Sequence, residues 1–82
     1  MNRKRSRLET IHKILILSQR GIRKTHIMYQ ANLSHQQLVK YLKVLITKHL
    51  LSVKDGLYFT TDQGAAFIQK FNEIQIIMDE NR

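Results

Sequence analysis

Eighty-two residues without a cysteine amount to one small domain and exclude disulfides and thiolate metal sites. The net charge is +8 and the pI about 10.2, and the longest apolar run, near Ile14 to Leu17, is far too short to span a bilayer. The charge is also lopsided. Through Thr60, 12 Lys and Arg stand against Glu9 and Asp55, whereas from Thr61 onward Lys70 and Arg82 meet Asp62, Glu73, Asp79 and Glu80. A basic body suits a polyanionic partner, and the mildly acidic tail is expected to do something else. The plain alternative is a generally basic, soluble domain. The basic start is not followed by an apolar segment with a small-residue cleavage site, so the expected location is cytoplasmic, in association with the nucleoid.

The chain opens on a short basic arm, Arg3, Lys4 and Arg5 with Arg7. Such an arm can follow phosphates or enter a minor groove; otherwise it is a solvated terminus. Ser6 and Glu9 have the Ser-x-x-Glu spacing of a capping box, which predicts a first helix with Leu8, Ile11, Ile14, Leu15 and Ser18 on its buried side. Gly21 is the expected left-handed C′ residue behind it. His12 and Lys13 fall among its exposed positions and suggest no chemistry.

A second helix is predicted over 24–31, with Ile27, Met28 and Ala31 inward. Asn32 suits the left-handed position at its end, and Leu33 is the apolar plug of the turn. Ser34 and Gln37 form a second capping box, which starts a third helix over 34–48. Leu38, Leu42 and Leu45 give this helix its inner face, flanked by Tyr41 and Ile46; the outer face carries Gln36, Gln37, Lys40, Lys43, Val44 and Thr47. Two helices joined this way form a helix-turn-helix, whose second helix can lie in a DNA major groove. Lys40, Lys43 and Lys48 can neutralise phosphates, and Gln36 or Gln37 can offer an amide to adenine. The helix N-terminus, at Ser34 and His35, itself favours a phosphate. Any exposed helix carries Lys and Gln; what gives these meaning is their place on the face a helix-turn-helix presents to DNA.

Asp55-Gly56 between two short alternating segments predicts a β-hairpin with a type I′ turn, the wing of a winged helix. Leu51 and Val53 are expected to face the core, Tyr58 to pair across, and Lys54 to reach phosphate. Thr61 is a plausible N-cap for a last helix, in competition with a Thr60–Gln63 capping box. That helix continues to about Glu80 with a heptad-like seam of Phe67, Phe71, Ile74 and Met78, widened by Ile68 and Ile77. Its second half is expected to run past the body. Phe67, Phe71, Ile74, Ile77 and Met78 then form a dimerising surface, the other reading being a helix folded over its own core.

The fold class is therefore mainly α with a small β-hairpin. The expected organisation is a winged helix-turn-helix over 1–61 with its basic arm, and a dimerisation helix over 62–82. The expected DNA-facing set is Arg3, Lys4, Arg5, Ser34, His35, Gln36, Gln37, Lys40, Tyr41, Lys43, Thr47 and Lys54. The four histidines lie on different elements, and no phosphate loop, nucleophile elbow or carboxylate pair appears. No catalytic residue, metal, cofactor or small-molecule substrate is expected. Double-stranded DNA is the expected partner of a homodimer. A winged helix used for protein contacts in a larger assembly is the alternative, which a cationic rather than apolar outer face disfavours.

Residues 5–51 resemble the archaeal winged-helix proteins of the small chromatin-protein and transcriptional-regulator families. The resemblance is carried by Arg5-Ser6-Arg7-Leu8-Glu9, Lys24-Thr25-His26-Ile27-Met28-Tyr29, Ala31-Asn32-Leu33-Ser34, Leu38, Tyr41-Leu42 with Leu45, and Leu50-Leu51. Thr61-Asp62-Gln63-Gly64 looks like the Thr-x-x-Gly that opens their last helix. The resemblance implies a DNA-binding dimer joined by antiparallel C-terminal coiled-coil helices, acting as a regulator or chromatin protein. Two features depart from it: His49 stands where glycine is usual, and the last helix stops early beside the long coiled coils of the chromatin branch.

Overall fold

Both capping boxes form. Glu9 N–H donates to Ser6 Oγ at 3.1 Å, and Ser6 N–H donates to the Glu9 carboxylate at 2.8 Å. Helix α1 (Arg7–Leu17) follows. The same reciprocal pair at Ser34 and Gln37, at 3.1 and 2.9 Å, starts α3 (His35–Thr47), and α2 (Lys24–Gln30) precedes it. The computed structural model describes residues 6–80; Arg3, Lys4 and Arg5 of the arm lie outside them. The remaining elements are β1 (Ile22–Arg23), β2 (Leu51–Lys54), β3 (Leu57–Thr60) and α4 (Asp62–Glu80). No described helix is long and apolar enough to cross a membrane.

The sheet has three strands in the order β1-β3-β2, all antiparallel, where the sequence suggests two. The added strand pairs Ile22 with Tyr58 and Arg23 with Leu57. Asp55 at φ 54° and Gly56 at φ 77° supply the two positive angles a type I′ turn needs. The sequence places Gly21 directly behind α1, but the C-cap is Ser18, and Gly21 instead immediately precedes β1. Its φ is 91°, and a Cβ there would sit 2.6 Å from the Phe59 ring.

The core joins Ile14 and Leu15 of α1, Ile27 of α2 with Ala31, Leu38, Leu42 and Leu45 of α3, Leu51 of β2 and Ile68 of α4. Two residues expected in it are outside. Leu8 is 58% exposed: it lies on the side of Leu15 but two turns earlier, about 10 Å along the axis, past the edge of the body. Thr10 is buried instead. Val53 shares a sheet face with Leu51 and pairs with Tyr58, yet it is 48% exposed.

Thr60 does not cap α4. Its hydroxyl donates to the Leu15 carbonyl at 2.6 Å and its N–H to the Ser18 carbonyl at 2.9 Å, tying β3 to the end of α1. Thr61 is the cap, accepting from Gly64 N–H at 3.0 Å. Its hydroxyl also donates to the His49 carbonyl at 2.6 Å, and its N–H to the Leu50 carbonyl at 3.1 Å. Gly64 is buried against this joint, where a Cβ would overlap the Leu50 carbonyl oxygen and stand 2.6 Å from Thr60 Cγ2.

Candidate nucleic-acid interface

The turn between α2 and α3 is made by a Schellman closure. Leu33 N–H reaches the Met28 carbonyl at 2.9 Å and Asn32 N–H the Tyr29 carbonyl at 3.2 Å, with Asn32 at φ 56°. The same closure ends α3, with Leu50 N–H on Leu45, His49 N–H on Ile46 and His49 at φ 63°. Histidine therefore takes the left-handed position where glycine is usual, at some steric cost. These two closures fix where α3 starts and stops.

Burying Leu38, Leu42 and Leu45 turns Gln36, Lys40, Lys43 and Thr47 outward, and all four are exposed. Their spacing of four, three and four makes one straight ridge. The two glutamines are not equivalent. The Gln37 side-chain oxygen is held by Ser34 N–H, whereas the Gln36 amide makes no hydrogen bond among the described residues. Ser34 is engaged as the cap, and His35 is exposed.

Lys40 separates two hollows. On one side a cleft of about 270 Å³ is lined by Arg7, Gln37, Lys40, Tyr41 and the half-buried Val44. On the other, His35, Gln36, Val39 and Lys40 line an open depression of about 500 Å³. Arg7 was assigned to the arm but is the first residue of α1, which carries it to the flank of α3. The signal was present: the residue after a capping-box serine belongs to the helix.

Lys54 is exposed at the wing, and the register places it and Arg23 on either side of Leu57, on one sheet face. Arg23, Lys24, Thr25, Gly56 and Tyr58 line a further hollow of about 310 Å³. Sequence reasoning missed Arg23 and Lys24 here because β1 itself was not foreseen.

The α4 seam divides in two. Phe67 packs on the core, and Phe71 stacks on His12 with ring centroids 4.2 Å apart. His12 Nε2 also meets Asn72 Oδ1 at 3.0 Å, so the histidine ties α1 to α4. Ile74, Ile77 and Met78 are 58%, 57% and 61% exposed, and Ile76, absent from the expected seam, is 58% exposed. Among the described residues no three His, Cys, Asp or Glu side chains gather as a metal site would require.

Comparison with known proteins agrees with this architecture. The winged helix-turn-helix family matches residues 4–79. The uncharacterized protein MJ0290 of Methanocaldococcus jannaschii is 31% identical over 72 residues, 87% of this chain but 34% of that protein. The chain thus spans about a third of that relative's length. The crystal structure of Sso10a-2, described as a DNA-binding protein from Sulfolobus solfataricus, superposes with a TM-score of 0.82. It covers 93% of this chain and 84% of its own at 22% identity, a likeness of fold. The chain belongs to the winged helix-turn-helix family.

Proposed function

We propose that this protein binds double-stranded DNA as a homodimer, with α3 in the major groove, and serves as a transcriptional regulator or chromatin-associated protein at the nucleoid. The observation that carries the reading is the exposed ridge Gln36, Lys40, Lys43 and Thr47 on the second helix of a helix-turn-helix. A duplex meets such a ridge with phosphates on either side of a groove about 12 Å wide, and Lys40, Lys43 and Lys48 neutralise them. Arg7 on one flank and Lys54 with Arg23 at the wing extend the cationic surface; Arg3, Lys4 and Arg5 add charge that can meet phosphates. Ser34 and His35 bring the α3 N-terminus to a phosphate. Tyr41 and Gln37 stand beside the Arg7 cleft. The DNA-binding description of Sso10a-2, which shares the fold, supports the same reading.

The homodimer rests on α4. Ile74, Ile77 and Met78 leave an apolar band that a second copy would cover, while Phe67 and Phe71 steady the helix on its own body. On this reading residues 1–61 contact DNA and 62–82 hold the two copies together.

The test is binding of a labelled duplex over a range of salt. Each of Lys40→Ala and Lys43→Ala should lower the salt slope by about 0.9, and the double change to Glu should weaken binding across unrelated sequences. Unchanged affinity in the double variant would remove α3 from the interface. Binding that depends instead on a protein partner would favour an interaction module.

A further inference from the structure

The outer surface of α3 carries one residue that phosphate neutralisation does not explain. Val39 is 49% exposed, whereas Val44 on the other flank of the ridge is half-buried, and Val39 lies in the depression formed with His35, Gln36 and Lys40. The half of the isopropyl group left in water contributes nothing to the core and can meet an apolar group on a partner. Gln36 sits one turn earlier, with about 5–6 Å between the two Cβ atoms. Its amide has both a donor and an acceptor and is not engaged within the described chain.

We infer that Gln36 and Val39 together read an A·T base pair or A·T step in the major groove, which rests on the duplex-binding reading above. Adenine presents N7 as acceptor and N6 as donor there, the complement of a glutamine amide. Thymine presents O4 and a C5 methyl, and the methyl is the one apolar group on a major-groove edge. An amide one turn from an exposed isopropyl group offers both complements within the span of one or two base pairs. Lys40, next in the chain and at the rim of the same depression, anchors the backbone and carries no sequence information. Gln37 is excluded from this role because its oxygen is held by the cap.

The experiment has two steps. Selection from random duplexes with the wild-type protein, at one stated salt concentration, is expected to enrich A·T pairs at a fixed position. A duplex of the selected sequence is then made with deoxyuridine in place of thymidine at that position, which removes only the methyl. Wild-type affinity is expected to fall about fourfold, the worth of one buried methyl-sized group. Val39→Ala should bind the thymine and uracil duplexes equally. Gln36→Ala should lose about tenfold discrimination between A·T and G·C at the selected position. Both side chains are exposed, and circular dichroism melting confirms that the variants fold. Three results would overturn the inference: a selected pool without A·T bias, equal wild-type affinity for thymine and uracil, or a bias that persists in Gln36→Ala. An A·T bias insensitive to uracil would reflect groove shape instead. Failure to retain any duplex, in contrast, would overturn the duplex-binding reading itself.

Discussion

His12 lies face to face with Phe71, ring centroids 4.2 Å apart and planes 20° from parallel, while its Nε2 meets Asn72. One side chain of α1 thus holds the midpoint of α4, just before that helix loses contact with the body. Stacked aromatic pairs contribute about 0.5–1.5 kcal/mol beyond area burial. A double-mutant cycle of His12→Ala and Phe71→Ala, followed by urea unfolding at fixed protein concentration, should give a coupling energy in that range. Additive effects would mean that the contact contributes nothing.

The joint between α3 and α4 makes opposite demands on two neighbouring backbone positions. His49→Gly relieves a left-handed residue and should raise stability by up to about 1 kcal/mol, whereas His49→Val should lower it. Gly64→Ala forces a methyl toward the Leu50 carbonyl and Thr60, and should cost about 1–3 kcal/mol. Thermal unfolding of the three variants checks all of these signs.

Arg7 should behave as a phosphate contact and not as a structural residue. Arg7→Ala is expected to weaken duplex binding uniformly and reduce the salt slope by about 0.9, with little change in melting temperature. A large loss of stability with an unchanged slope would place its role inside the fold.

The exposed end of α4 gives the test of assembly. Phe71 is a poor choice for it, since its loss also removes the His12 stack that ties α4 to α1. Ile74→Lys with Ile77→Lys should convert a dimer to a monomer by light scattering while leaving the helical circular dichroism signal largely intact. A wild-type monomer at the concentrations used for binding would rule the assembly out.

What was legible in the sequence was what is decided locally. Ser6 with Glu9, Ser34 with Gln37, Asn32 and Asp55-Gly56 each specify a conformation within four residues, and the structure has all of them. What was missed depends on partners far along the chain. Ile22 and Arg23 are too few to show a period, and they are a strand only because Leu57 and Tyr58 lie beside them. Leu8 and Val53 fit the apolar pattern of their elements, but pattern does not say where an element runs off the end of the core. The same limit hid Arg23 from the candidate interface. Sequence spacing does not distinguish Gln36 from Gln37; the structure adds that the cap occupies the Gln37 side-chain oxygen.

Thr61 has a geometric consequence for an assembled pair. It ends the wing and starts α4, and it grips the last carbonyls of the α3 closure with both its hydroxyl and its N–H. The inclination of the long arm is therefore set at the foot of α3 and not by a slack linker. Two copies clasped by their arms would hold their reading helices at one separation, and only operators with matching half-site intervals would engage both at once. Replacing Thr61 by valine should blur that interval before it weakens either half-site.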